Sequence, residues 1–192
     1  MPESANEQGG SPKNQALQPM QLRMTIAASR VNELPEVVLP DEYTLRAYWA
    51  GDEQSWVRLL RLAGFTTWNL QRIDEFLEDP ERGDGSRVVA KGGAIVSATF
   101  ASRADWNDQQ VGVLDFVASH PDHRRLGLSR AVCTAVLDFL VTAGYPEVIL
   151  DTDDWRLPAI GMYLSLGFEP VMRREDMPAR WKAVMEQLDA EK

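Results

Sequence analysis

The chain has 192 residues, 44% hydrophobic and 26% charged, a balance that gives one soluble domain with a real core. Its net charge of −9 argues against nucleic-acid binding, which needs a basic footprint, and its single cysteine, Cys133, excludes an internal disulfide framework or a thiolate metal cluster. No apolar run is long enough to cross a bilayer, and "MPESANEQGG" lacks the basic start and apolar stretch of a secretory signal, so the expected location is cytoplasmic, away from membranes.

In chain order, residues 1–38 are expected as a flexible N-terminal arm. Positions 1–19 are polar and rich in Pro, Gly, Asn and Gln, while "MQLRMTIAAS" suits either a short strand or a docked helix. "YTLRAYW" suits a strand. Asp52 is placed to cap the helix "EQSWVRLLRLA", where Trp56, Leu59, Leu60 and Ala63 share a face, and Gly64 stops it. "LQRIDEFLED" is a second helix, closed by Pro80 and a turn at "ERGDGS". "RVVAK" and "AIVSATFAS" flank Gly92-Gly93 as a hairpin, "ASRADWNDQQ" is a loop, and "QQVGVLDFVAS" is a longer strand.

From Gly127 to Ala143 the apolar residues Leu128, Ala131, Val132, Ala135, Val136 and Phe139 recur at helical spacing. "EVILDT" is a strand, "LPAIGMYLSL" a short helix with Pro158 in its first turn, "FEPVMR" a final strand and "MPARWKAVMEQL" a last helix. The mixture predicts an α/β or α+β domain over 39–175, followed at 176–192 by a C-terminal helix that offers a surface for a homodimer.

One stretch stands out against the acidic whole. In "HPDHRRLGLSRAV", His123, Arg124, Arg125 and Arg130 surround Gly127 where a strand gives way to the long helix. The first turn of a helix has unpartnered N–H groups and roughly half a positive charge, and phosphates bind there. Gly127 lets a ligand approach the backbone, and Ser129 offers a hydroxyl. The alternative is an ordinary strand–turn–helix link with surface arginines; the local concentration of positive charge favours a site for a di- or polyphosphate.

"VASHPDHRRLGLSRAV" resembles motif A of the GCN5-related N-acetyltransferases, whose signature is Arg or Gln, two residues, Gly, one residue, then Gly or Ala. Here it reads Arg124-Arg125-Leu126-Gly127-Leu128-Ser129, with Ser129 in the last small position. "RLPAIGMYLSLGFEPV" resembles motif B: Ala159, Tyr163, Gly167 and Phe168 match, and Arg156 stands where an Asn is usual. The resemblance implies a mixed, mostly antiparallel sheet flanked by helices. Its central strand pair would be splayed, with the strand ending at Ser119 parting from "EVILDT" over a cleft for acetyl-CoA.

It further implies acyl transfer from acetyl-CoA to a small-molecule or peptide amine, by direct attack through a tetrahedral intermediate. The implied cofactor contacts are Val117, Ala118 and Ser119, the run Arg124 to Ser129, and Arg156, Ala159 and Tyr163. The Val117 amide would donate to the oxyanion, and Tyr163, protonated at neutral pH, would supply the thiolate's proton. Asp115 is the candidate base, placed by period-two alternation on one face with Val117 and Ser119; a solvent-facing or salt-bridged carboxylate is the equal alternative. Asp153 and Asp154 are rivals for the role, although helix capping is their commoner use. Trp68, Trp106 and Trp155 are candidate walls of the amine pocket, or else loop anchors. No His-Cys-Asp spacing supports a metal site. A competing reading keeps the CoA cleft but not the turnover, as a regulatory module.

Overall fold

The computed structural model describes residues 20–190. Its seven strands form one sheet in the order β2-β3-β4-β5-β6-β1-β7. They are β1 (Leu22–Ala27), β2 (Thr44–Ala47), β3 (Arg87–Lys91), β4 (Ala94–Trp106), β5 (Gln109–Ser119), β6 (Glu147–Thr152) and β7 (Glu169–Pro170). Every neighbouring pair is antiparallel except β5 and β6.

That pair sets the architecture of the cleft. β5 and β6 are matched only at Gly112–Val148 and Val113–Ile149, and then separate. β6 keeps its course because all six of its residues pair with β1. β5 bends because it carries a bulge: Phe100 faces Asp115 and Ala98 faces Ala118, so β5 has one residue too many there. Phe116 absorbs it with φ 49°.

Helices cover both faces: α1 (Ala28–Val31), α2 (Glu53–Leu62), α3 (Leu70–Leu77), α4 (Pro80–Gly85), α5 (Leu128–Thr142), α6 (Leu157–Ser165) and α7 (Met177–Ala190). On one face Val136, Leu137 and Leu140 of α5 pack with Met24, Leu150, Ile160 and Trp181. On the other, Trp56 of α2 and Trp68 clasp Phe100 at ring separations of 4.1 and 5.2 Å. Among the described residues no helix is long and apolar enough to cross a membrane.

Several sequence expectations change. The segment 20–29, open between strand and helix, holds β1 and the start of α1, so the sheet begins inside the stretch expected as an arm; Leu22, Met24 and Ile26 are buried in period-two alternation. Positions 1–19 lie outside the described residues. "ERGDGS" is helical, because Asp79 accepts from the Glu81 N–H and Pro80 takes the first helical position. The loop expected at "ASRADWNDQQ" is a hairpin: β4 runs to Trp106 and turns at Asn107 and Asp108, both at positive φ. Asp52 takes the N-cap position of α2, its carbonyl accepting from the Trp56 N–H, but its side chain makes no capping bond; the carboxylate takes two hydrogen bonds from Arg46, at 2.6 and 2.8 Å. The last strand keeps only Glu169 and Pro170.

Candidate active site

The parting of β5 from β6 opens a cleft of about 1280 Å³ that reaches from the start of α5 to the β4–β5 hairpin. Its two ends differ in chemistry because the bulge turns β5.

At one end lies the turn into α5. Gly127 precedes the helix at φ 74° and Arg125 has φ 64°. A Cβ at Gly127 would find its nearest neighbour 4.0 Å away, so the glycine answers to backbone conformation and leaves open space above it. Arg130 donates to the Ser165 hydroxyl, whereas Arg124 and Arg125 have no partner among the described residues. His123 holds Tyr43 through Nδ1 at 2.9 Å. Apart from the Asn107-Asp108 turn, the only described non-glycine residues at positive φ are Phe116 and Arg125, and both line this cleft. Strained backbone of this kind gathers at functional sites.

The middle is built by β5 and α6. Val117 has no paired residue on β4 or β6, and its side chain packs toward the α5 face. Ser119 stands 2.5 Å from the Ser129 hydroxyl and 3.0 Å from that of Ser97, tying β5 to the first turn of α5. Tyr163 lines the cleft with Ala159, and burial pushes its phenol pKa up, so it remains protonated.

Asp115 falls on the other side. Its partner on β4 is Phe100, and Phe116 beside it joins Phe65 and Trp68 under α2 and α3. The expectation that Asp115, Val117 and Ser119 share a face therefore fails, since the bulge breaks the alternation between 115 and 117. Burial raises the Asp115 pKa to about 6, opposed by the charge of Arg82 and by the Phe116 N–H.

The structure brings together ten of the expected contacts: Asp115, Val117, Ser119, Arg124, Arg125, Gly127, Leu128, Ser129, Arg156 and Ala159, with Tyr163 at the same wall. It does not bring in Ala118, buried against Ile95 and Phe100, or Leu126, which is turned out to solvent. Arg156 binds Asp153 at 3.1 Å and lies over the rings of Trp155 and Phe65 at 4.4 and 4.9 Å, reaching across the cleft. Asp154 pairs with Arg180 and is committed to that bridge. Trp155 borders the cleft, Trp68 is core, and Trp106 lies against the Arg23 guanidinium at 4.4 Å. Sequence reasoning missed Arg23 and Asp151, which line the cleft because β1 enters beside β6, and Arg82, which is set there by the unforeseen α4.

The profile of the Acetyltransferase (GNAT) family matches residues 42–168. A mycothiol acetyltransferase of Thermobispora bispora is 28% identical over 145 residues, covering 70% of this chain and 49% of that protein. N-acetyltransferase 8B of Homo sapiens is 46% identical over 48 residues, 25% of this chain and 21% of that protein. The chain spans about half the length of the mycothiol acetyltransferases it matches. Among solved structures, an aminoglycoside N-acetyltransferase in complex with CoA superposes with a TM-score of 0.62 at 19% identity, over 72% of this chain and 95% of that one.

Proposed function

The chain belongs to the GNAT acetyltransferase family, and from that premise we propose that it transfers an acyl group, most simply acetyl, from acetyl-CoA to a primary amine. The observation that carries this reading is the parting of β5 and β6 beside a helix start with two unpaired arginines. One opening thus offers a diphosphate site and free main chain for an extended thioester arm.

Each residue then has a task. Arg124, Arg125 and the first turn of α5 hold the diphosphate, with Ser129 beside them. The arm runs along Ser119 and Val117, and the Val117 N–H donates to the thioester oxygen as it gains charge. From the opposite face, Asp115 takes a proton from the incoming ammonium; a carboxylate near pKa 6 suits that work at neutral pH. The amine nitrogen bonds to the carbonyl carbon, the carbon–sulfur bond breaks, Tyr163 gives its proton to the departing sulfur, and the second proton shed by the nitrogen returns to the Tyr163 oxygen. The face change at Phe116 keeps base and thioester on opposite sides of β5, so the two reactants enter from different directions and meet at the gap.

The test is a thiol-release assay with acetyl-CoA against a broad panel of amines, paired with calorimetry of CoA binding. Amine-dependent release supports the transferase. CoA binding without release across the panel favours a regulatory module, and absence of CoA binding refutes the reading.

A further inference from the structure

Four arginines border the amine end of the cleft: Arg23, Arg82, Arg103 and Arg156. Three are neutralised. Arg23 meets Asp151 at 2.7 Å, Arg103 meets Asp79 and Glu81 at 3.0 and 2.8 Å, and Arg156 meets Asp153 at 3.1 Å.

Arg82 is different. Its Nε donates to the Ser102 hydroxyl at 3.1 Å and its guanidinium lies over the Phe76 ring at 4.0 Å. It makes no salt bridge among the described residues, and the carboxylate its charge reaches is Asp115. A hydroxyl and an aromatic face therefore fix the group in place without cancelling its charge. One edge of the fork is used by Ser102, and the two terminal nitrogens remain for a bidentate acceptor. Ser102 and Asp115 line the same wall, and the Arg82 charge is near enough to act on the Asp115 carboxyl. A cation waiting beside a base is a poor site for a polyamine, which it would repel. It suits a molecule that carries an acid group a few bonds from its amine.

Resting on the reading above, we propose that the acceptor is a carboxylate-bearing amine, of the amino-acid class, whose acid group is held by Arg82 while its amine meets Asp115. The recognition is electrostatic and directional: Arg82 grips both carboxylate oxygens, and the anchored acid swings the amine toward the β5–β6 gap. The overall charge of the chain would favour cationic amines, but Arg82, the guanidinium at this wall without a salt bridge, gives a carboxylate a specific partner there.

The experiment compares amino acids with their carboxamides, and with aminoalkylphosphonates of matched length, as acceptors for the full chain and for Arg82→Gln and Arg82→Lys. The expected result is a kcat/KM at least tenfold higher for the acids than for the carboxamides. In Arg82→Gln that preference collapses through a raised acceptor KM, with the KM for acetyl-CoA unchanged, and Arg82→Lys recovers part of it. Carboxamides used as well as acids would overturn this proposal while leaving the transferase reading intact, and so would a preference for the phosphonates. No turnover with any amine would overturn both.

Discussion

Asp115 and Val117 stand two residues apart on β5 yet face opposite sides of the sheet, because Phe116 between them adopts φ 49° and adds a residue to the strand. The bulge thereby separates a carboxylate on the α2–α3 face from the main-chain and hydroxyl groups on the α5 face. It also bends β5 away from β6 and so creates the gap in which the two sides meet.

The half-buried Asp115 carboxyl gives the first prediction. With a pKa of about 6, it loses its proton as pH rises through that value, so kcat should climb across the same range. Asp115→Asn should remove this limb and lower kcat by about a hundredfold or more. The sign for stability is opposite. The folded state binds this proton more tightly than the unfolded chain, so Asp115 stabilises the fold below about pH 4 relative to higher pH, and that contribution is lost as pH passes 6. Ionised Asp115 at pH 8 costs the fold about 2 to 3 kcal/mol. Melting curves should therefore show Asp115→Asn more stable than the parent at pH 8 and equal to it at pH 4.

Tyr163, the proposed donor, does not titrate in the working range, since burial pushes its pKa up. Tyr163→Phe should lower turnover at least tenfold while CoA binds as before. Rapid-quench and calorimetric measurements check the two halves, and unchanged turnover would refute the role.

The hydroxyl chain Ser97–Ser119–Ser129 locks the end of β5 to the first turn of α5. Ser129→Ala should cost about 1 kcal/mol of stability in urea titrations, the usual worth of one such bond. It should also weaken CoA binding several-fold, because the turn proposed to hold the diphosphate loses its tether to the strand.

Gly85 supplies a prediction remote from chemistry. A Cβ there would sit 2.4 Å from Phe139 Cε1 and 2.6 Å from the Ala101 Cβ. Gly85→Ala should destabilise the fold by about 1 to 3 kcal/mol through overpacking, with CoA affinity unchanged. Chemical denaturation beside calorimetry separates the two effects.

Much of this was legible in the sequence where local pattern and tertiary need agree. "QQVGVLDFVAS" and "EVILDT" are β5 and β6 to the residue, and the long apolar stripe is α5. The basic turn before α5 was legible too, since Gly127 and its arginines are contiguous. What could not be seen depended on distant pairing. β1 is held between β6 and β7, more than a hundred residues away in sequence. The bulge at Phe116 is imposed by registry with β4, and no glycine marks it. Arg82 reaches the cleft through Ser102 on another element, a neighbour that spacing along the chain does not reveal. Asn107 and Asp108 form a tight turn without the glycine that would have announced it.

The measurement that tests the whole account most directly is the salt dependence of CoA affinity for the parent chain and for Arg125→Glu. If the turn before α5 holds the diphosphate, the parent loses affinity steeply as salt rises. The variant then binds at least tenfold more weakly at low salt, with a flatter slope. Equal affinity and equal slope in the two proteins would contradict it.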